Sequence, residues 1–210
     1  MTPTQADQFY ARLAARNPEP KSELEFHNPY TMLVAVVLSA QATDAGVNKA
    51  TRALFREADS AVAMLALGEE GLKRHIRTIG LFNAKAANII ALSRLLVERH
   101  GGEVPTDRAA LEALPGVGRK TANVVLNVAF GLPTIAVDTH VFRVANRTGL
   151  AAGRTPEAVE RALEAITPAK WKGRAHHWLI LHGRYVCKAR KPLCGSCPVQ
   201  DLCAFPDKGA

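Results

Sequence analysis

LPGVGRKTA, residues 114–122, sets two glycines one residue apart behind a proline, then puts Arg119 and Lys120 where a helix is about to begin. Upstream, Thr106-Asp107 is a start signal for the short helical run AALEAL, and downstream TANVVLNVAF keeps apolar residues at helical spacing. The unit therefore reads as helix, tight turn, helix over about residues 107–130. Two nucleotide loops are rejected. A triphosphate loop needs Gly directly before Lys and another Gly five residues earlier, but Arg119 intervenes and position 113 is Ala. A dinucleotide fingerprint needs a third glycine where Thr121 stands, and a strand where ALEAL is helical. In a helical hairpin, Gly116 and Gly118 around Val117 permit positive φ and close backbone approach. The N–H groups there and at Arg119 can then hold a phosphate of a DNA backbone, although a plain helix-helix turn would read the same way.

Two cations at a helix N-terminus are unfavourable, which makes Lys120 the residue to explain. The positive potential of the helix end and of Arg119 favours the neutral amine, and a neutral amine is a nucleophile. An amine with pKa near 10.4 is uncharged about once in 2,500 at pH 7, so full activation corresponds to about 4.6 kcal/mol. A helix from Arg119 to Phe130 is about 18 Å long. The seven steps from Gly131 to Asp138 can cover about 23 Å and so return alongside it. Asp138 is thereby expected within reach of Lys120, while its place before THVFRVANRTGL also suits a simple N-cap.

Outward from the hairpin the chain is helical almost throughout. Ile89, Leu92 and Leu96 share one face before Gly101, and Asn28-Pro29 and Thr155-Pro156-Glu157 open further helices, bringing the count to nearly ten. Only Pro133–Val137 has extended character, and a single such stretch makes no sheet, so the fold class is all-α. Gly131-Leu132-Pro133 is a candidate hinge. The expected division is a helical-bundle domain over 22–132 and a second helical domain of 1–21 plus 133–210. The 210 residues carry 27 Lys+Arg against 19 Asp+Glu, a net +8 that favours polyanionic partners. The N-terminus lacks the apolar centre of a signal peptide, and Met32–Ala40 is too short to span a bilayer. A cytoplasmic monomer with no membrane contact is expected.

Regular spacing stops near Cys187. The pattern Cys187-x6-Cys194-x2-Cys197-x5-Cys203 is compact enough for one four-thiolate site, which tetrahedral zinc or a four-iron cluster would both accept. Two disulfides remain a further possibility in an oxidising compartment, although cysteines confined to one end of the chain suggest a reducing one. The loop from Cys187 to Cys194 carries Lys188, Arg190 and Lys191, cations that could meet phosphates if the loop is pinned.

LPGVGRKTANVVLNVAFGLPTIAVDTHVFR, together with LSAQATD (Leu38–Asp44) and the terminal cysteines, resembles the endonuclease III family of bifunctional DNA glycosylases/AP lyases over essentially the whole chain. The resemblance implies removal of oxidised pyrimidines from duplex DNA, or cleavage at abasic sites, with Lys120 forming a Schiff base at C1′ and β-elimination cutting the strand. Asp138 aligns with the family's catalytic carboxylate. Gln41 aligns with the residue that fills the gap left by the extruded base, and Leu81 with the wedge opposite. From the residues alone, Gln41 reads as a solvated helix end and Leu81 as core. His140 either touches DNA or simply occupies the first turn of a helix. The cysteine spacing looks like the family's [4Fe-4S] site. An adenine-removing mismatch glycosylase would share the hairpin and cluster, but that family generally lacks the lysine and carries a further C-terminal domain. A non-catalytic helix-hairpin-helix module would need only the glycines and the charge. Replacing Lys191 should weaken binding to all DNA and flatten its log-log salt dependence by about 0.9 if it neutralises one phosphate. An unchanged slope would return Lys191 to an ordinary solvated loop.

Overall fold

Helix boundaries in the computed structural model, which describes residues 1–208, fall where the chain supplies a cap. Ten α-helices are present among the described residues: α1 (Pro3–Arg16), α2 (Pro29–Ser39), α3 (Asp44–Glu57), α4 (Ala61–Ile76), α5 (Phe82–His100), α6 (Arg108–Glu112), α7 (Arg119–Phe130), α8 (Thr139–Thr148), α9 (Pro156–Ile166) and α10 (Ala169–Tyr185). Side chains of Thr2, Asn28, Thr43, Ser60, Asp107, Asp138 and Thr155 each accept a bond from a first-turn N–H. Gly101, Gly131 and Gly149 close α5, α7 and α8. The described residues include no strand, so the all-α expectation holds. Extended Pro133–Val137 finds its partner in a helix instead: His176 Nδ1 of α10 lies 2.9 Å from Ala136 O. None of these helices is long and apolar enough to cross a membrane.

The chain divides into two units. The first is continuous, Ser22–Gly131, and contains α2 to α7. At its centre α2 is buried at every position from Tyr30 to Leu38, packing on α3, α5 and α7. Met32, Leu33 and Leu38 have no exposure at all, and burial of each contributes about 1.5–3 kcal/mol. Tyr30 Oη, 2.6 Å from Ser93 Oγ, joins α2 to α5. Gly68 (φ 72°) breaks regular geometry within α4, a kink that apolar periodicity does not announce.

The second unit gathers Met1–Lys21 with Leu132–Ala210. Its core sets Phe9, Tyr10 and Leu13 of α1 against Val141 and Val144 of α8, Leu163 of α9 and Trp178 and Leu179 of α10. Polar ends of these side chains are matched: Tyr10 Oη to Thr167 Oγ1 at 3.0 Å, and Trp178 Nε1 donating to Asn17 O at 2.8 Å. Asp7 of α1 receives Trp171 Nε1 at 2.7 Å and Lys170 Nζ at 2.8 Å, and these bonds hold its carboxyl below the usual carboxylate range.

The N-terminus of α2 rests on a reciprocal box. Asn28 Oδ1 accepts from Thr31 N at 2.8 Å, Thr31 Oγ1 accepts from Asn28 N at 3.0 Å, and Asn28 Nδ2 reaches Asp59 O. Asn28→Ala should therefore cost about 1–2 kcal/mol, measured as a lowered denaturant midpoint with an unchanged slope.

Candidate active site and four-cysteine loop

Gly116 decides the shape of the hairpin. Its φ is +77°, and a Cβ there would meet Asn88 Cβ at 3.0 Å and Asn88 Nδ2 at 3.1 Å. Glycine is thus required twice over, for the left-handed backbone and for close packing on α5. Val117 is buried and pins the turn, with Val117 N donating to Leu114 O at 3.1 Å. Gly118 then N-caps α7 with no side-chain oxygen to offer, so the first turn of α7 has no side-chain cap. Arg119 and Lys120 are exposed in that turn.

Seven helices have side-chain caps; α5, α7 and α10 do not. In α5 the cap position is Leu81, with φ +60° and 63% of its surface exposed, which overturns the reading of this leucine as core. Gln41, exposed and two residues beyond α2, also has positive φ, at 54°. Only three non-glycine residues have positive φ among those described: Gln41, Leu81 and Lys191. Neither Leu nor Gln gains from this conformation, so surrounding contacts must impose it. The two loops run side by side, since a Cβ on Gly80 would lie 4.0 Å from Gln41 O.

The first two turns of α5 organise this face of the Ser22–Gly131 unit. Leu81 begins it, Lys85 reaches the end of α2, and Asn88 lies under Gly116. Lys85 carries a signal legible in the sequence, whereas Asn88 carries none. Lys85 falls on the apolar face of Ile89, Leu92 and Leu96, where a charge has to have a partner. Its ammonium is 2.9 Å from Leu38 O and 2.6 Å from Ala40 O, and burial pushes its pKa down.

In the other unit, Asp138 is half-buried and N-caps α8, its Oδ1 accepting from Val141 N at 2.8 Å. His140 follows in the first turn, half-buried against α10 at Gly183, with Nδ1 3.2 Å from Arg143 Nη2. Arg143 continues to Gly183 O and Cys187 O, and Arg147 donates to Lys188 O at 2.6 Å and Ala189 O at 2.9 Å. One face of α8 therefore leads from the candidate carboxylate to the four-cysteine loop. From α1, Arg12 pairs with Asp201 and Arg16 donates to Ser196 O. Lys191 is exposed on this loop at φ 50°.

Cys187, Cys194, Cys197 and Cys203 are free thiols that line one small cavity. The loop is irregular apart from a single 3-10 turn at Cys194–Ser196. Burial raises the Cys187 and Cys197 thiols, opposed at Cys187 by Arg147 and Arg143.

Residues 34–169 match the HhH-GPD superfamily of base excision DNA repair proteins, and residues 187–203 match the iron-sulfur binding domain of endonuclease III. Endonuclease III of Escherichia coli K12 is 61% identical over 201 residues, covering 96% of this chain and 95% of that protein. The chain belongs to the endonuclease III family. Endonuclease III of Haemophilus influenzae is 59% identical over 208 residues, 99% of both chains. The fold also matches a solved trapped endonuclease III–DNA covalent intermediate with a TM-score of 0.90 and 46% identity, over 97% of this chain and 96% of that one. The endonuclease III cofactor is a [4Fe-4S] cluster.

Gly116→Ala combines φ strain with a 3.0 Å approach to Asn88. It should lower stability by about 1–3 kcal/mol in thermal melts. Gly118→Ala, with nothing within 4 Å of its Cβ and φ −95°, should cost less, about 0.5–1 kcal/mol for the poorer N-cap, in the same assay.

Proposed function

We propose that this base-excision DNA glycosylase and AP lyase acts through Lys120, with oxidised pyrimidines in duplex DNA and abasic sites as substrates. The reading is carried by the exposed Lys120 side chain in the first turn of α7, behind a hairpin that presents backbone N–H groups and no capping side chain. Those donors and the helix end suit a phosphate, which would place the nearby sugar at the lysine. A relative solved as a covalent intermediate with DNA supports a nucleophile of this kind.

The neutral Lys120 amine attacks C1′, the bond from C1′ to the base breaks, and the base leaves with its electron pair. One amine proton passes to the departing base and the other to O4′ as the C1′–O4′ bond breaks and the sugar ring opens, giving a Schiff base between Nζ and C1′. Loss of a proton from C2′ then expels the 3′ phosphate, and water releases the lysine. Asp138, whose carboxylate also caps α8, is the group to stabilise positive charge developing on the sugar and to aid activation of the amine. Extruding the base costs a few kcal/mol, and Gln41 and Leu81, exposed on adjoining loops, are suited to occupy the gap.

Cys187, Cys194, Cys197 and Cys203 would hold the [4Fe-4S] cluster, whose iron-sulfur bonds would order a tail with little core of its own. Lys188, Arg190 and Lys191, exposed on that loop, then face the solvent as a fixed basic surface for phosphates. The site of action is the cytoplasm, where bacterial DNA lies.

Lys120→Ala removes the nucleophile and leaves the hairpin backbone in place. Strand cleavage and borohydride trapping at an abasic site should fall by at least about 10³-fold. Binding to the same duplex should change by less than about threefold, because the phosphate donors are main-chain. Trapping at the wild-type level would refute the assignment of Lys120. Binding lost along with cleavage would instead point to a phosphate contact.

A further inference from the structure

We infer that Lys85 is a positioning residue for base extrusion, holding Gln41 and Leu81 at a fixed separation through one side chain and one backbone N–H. The inference rests on the proposed reading of those two residues as the pair that fills the gap. Lys85 is only 5% exposed. Its backbone N–H donates to Leu81 O at 3.1 Å, which is the first helical bond after the left-handed Leu81. Its ammonium donates to Ala40 O at 2.6 Å, the carbonyl of the peptide that enters Gln41, and to Leu38 O at 2.9 Å. A single residue therefore grips both strained positions.

Nothing in α2 could serve instead. Its last turn has no basic residue, and Ala40 leaves helical geometry at ψ 117°. The terminal carbonyls of a buried helix need donors, and the negative end of its dipole favours a cation. Lys85 meets both demands from a neighbouring helix. Without it Gln41, at φ 54°, would have less to keep it out of the more populated right-handed and extended regions. The Gln41 carbonyl would then no longer be held beside Gly80.

The test uses the full chain with its cluster, and single-turnover base removal from a duplex carrying one 5-hydroxycytosine. Lys85→Met, Gln41→Ala, Leu81→Ala and the Lys85→Met/Gln41→Ala pair are compared. A parallel assay traps each protein with borohydride on a single-stranded abasic oligonucleotide, which has no gap to fill. Lys85→Met should slow duplex base removal by about 10-fold and change single-strand trapping by less than about 2-fold. Adding Gln41→Ala to it should cost less than about 2-fold more, because residues in one network are not additive. Equal losses in both assays, or fully multiplicative losses in the pair, would overturn the inference and leave Lys85 as a helix cap alone. If Gln41→Ala and Leu81→Ala are each silent on the duplex, the gap-filling reading itself falls and takes the inference with it. If Lys85→Met does not fold with its cluster, Lys85→Gln replaces it, keeping a donor on a shorter arm, and the same pattern decides.

Discussion

A helix buried on all sides must have both ends satisfied inside the protein, and α2 sets that condition for the Ser22–Gly131 unit. Its N-terminus is closed locally by Asn28 and Thr31, residues that sit where the chain enters. Its C-terminus is closed at a distance by Lys85. Because α5 supplies that cation, α5 has to run past the end of α2. The same two turns of α5 then carry Leu81 at one end and Asn88, beneath the hairpin glycine, at the other. The need to close one apolar helix thus places three loops on one face of the unit.

The second unit shows a related economy in α8. Asp138 begins that helix, and its arginines end on backbone carbonyls of the four-cysteine loop. Carbonyls are acceptors that any residue provides, so the loop can be braced whatever its side chains do. Arg147 adds a contact over the Phe205 ring, at 4.8 Å, that secures the chain beyond Cys203. The loop is then shaped from outside by arginines of α1 and α8.

Sequence reasoning reached the helices because caps and apolar spacing are local, and Asn28-Pro29, Thr155-Pro156 and the hairpin glycines sit directly on the boundaries they cause. Lys120, Asp138 and the cysteines stand out in the sequence because their chemistry is written in their residue type. Spacing alone does not choose the metal, because four thiolates in a row suit zinc and iron alike; the family settles that. The left-handed backbone at Gln41 and Leu81 leaves no mark in the sequence, since neither residue type favours it. Lys85 was visible as a charge within an apolar stripe, yet its acceptors are main-chain oxygens 45 and 47 residues away. Long-range bonds to backbone leave no pattern at the accepting end.

The unequal connectivity of the two units bears on how a ribosome delivers them. Ser22–Gly131 is one unbroken segment and can close as soon as it has emerged. Helix α1 is synthesised before it, but the Trp178 and Leu179 surfaces on which Phe9 and Tyr10 pack come more than 160 residues later. At about 5–20 residues per second, those aromatic rings wait roughly ten seconds or longer in water. During that interval a nascent chain exposes a greasy amphipathic helix beside an already folded neighbour, and that is where a chaperone would find its handle.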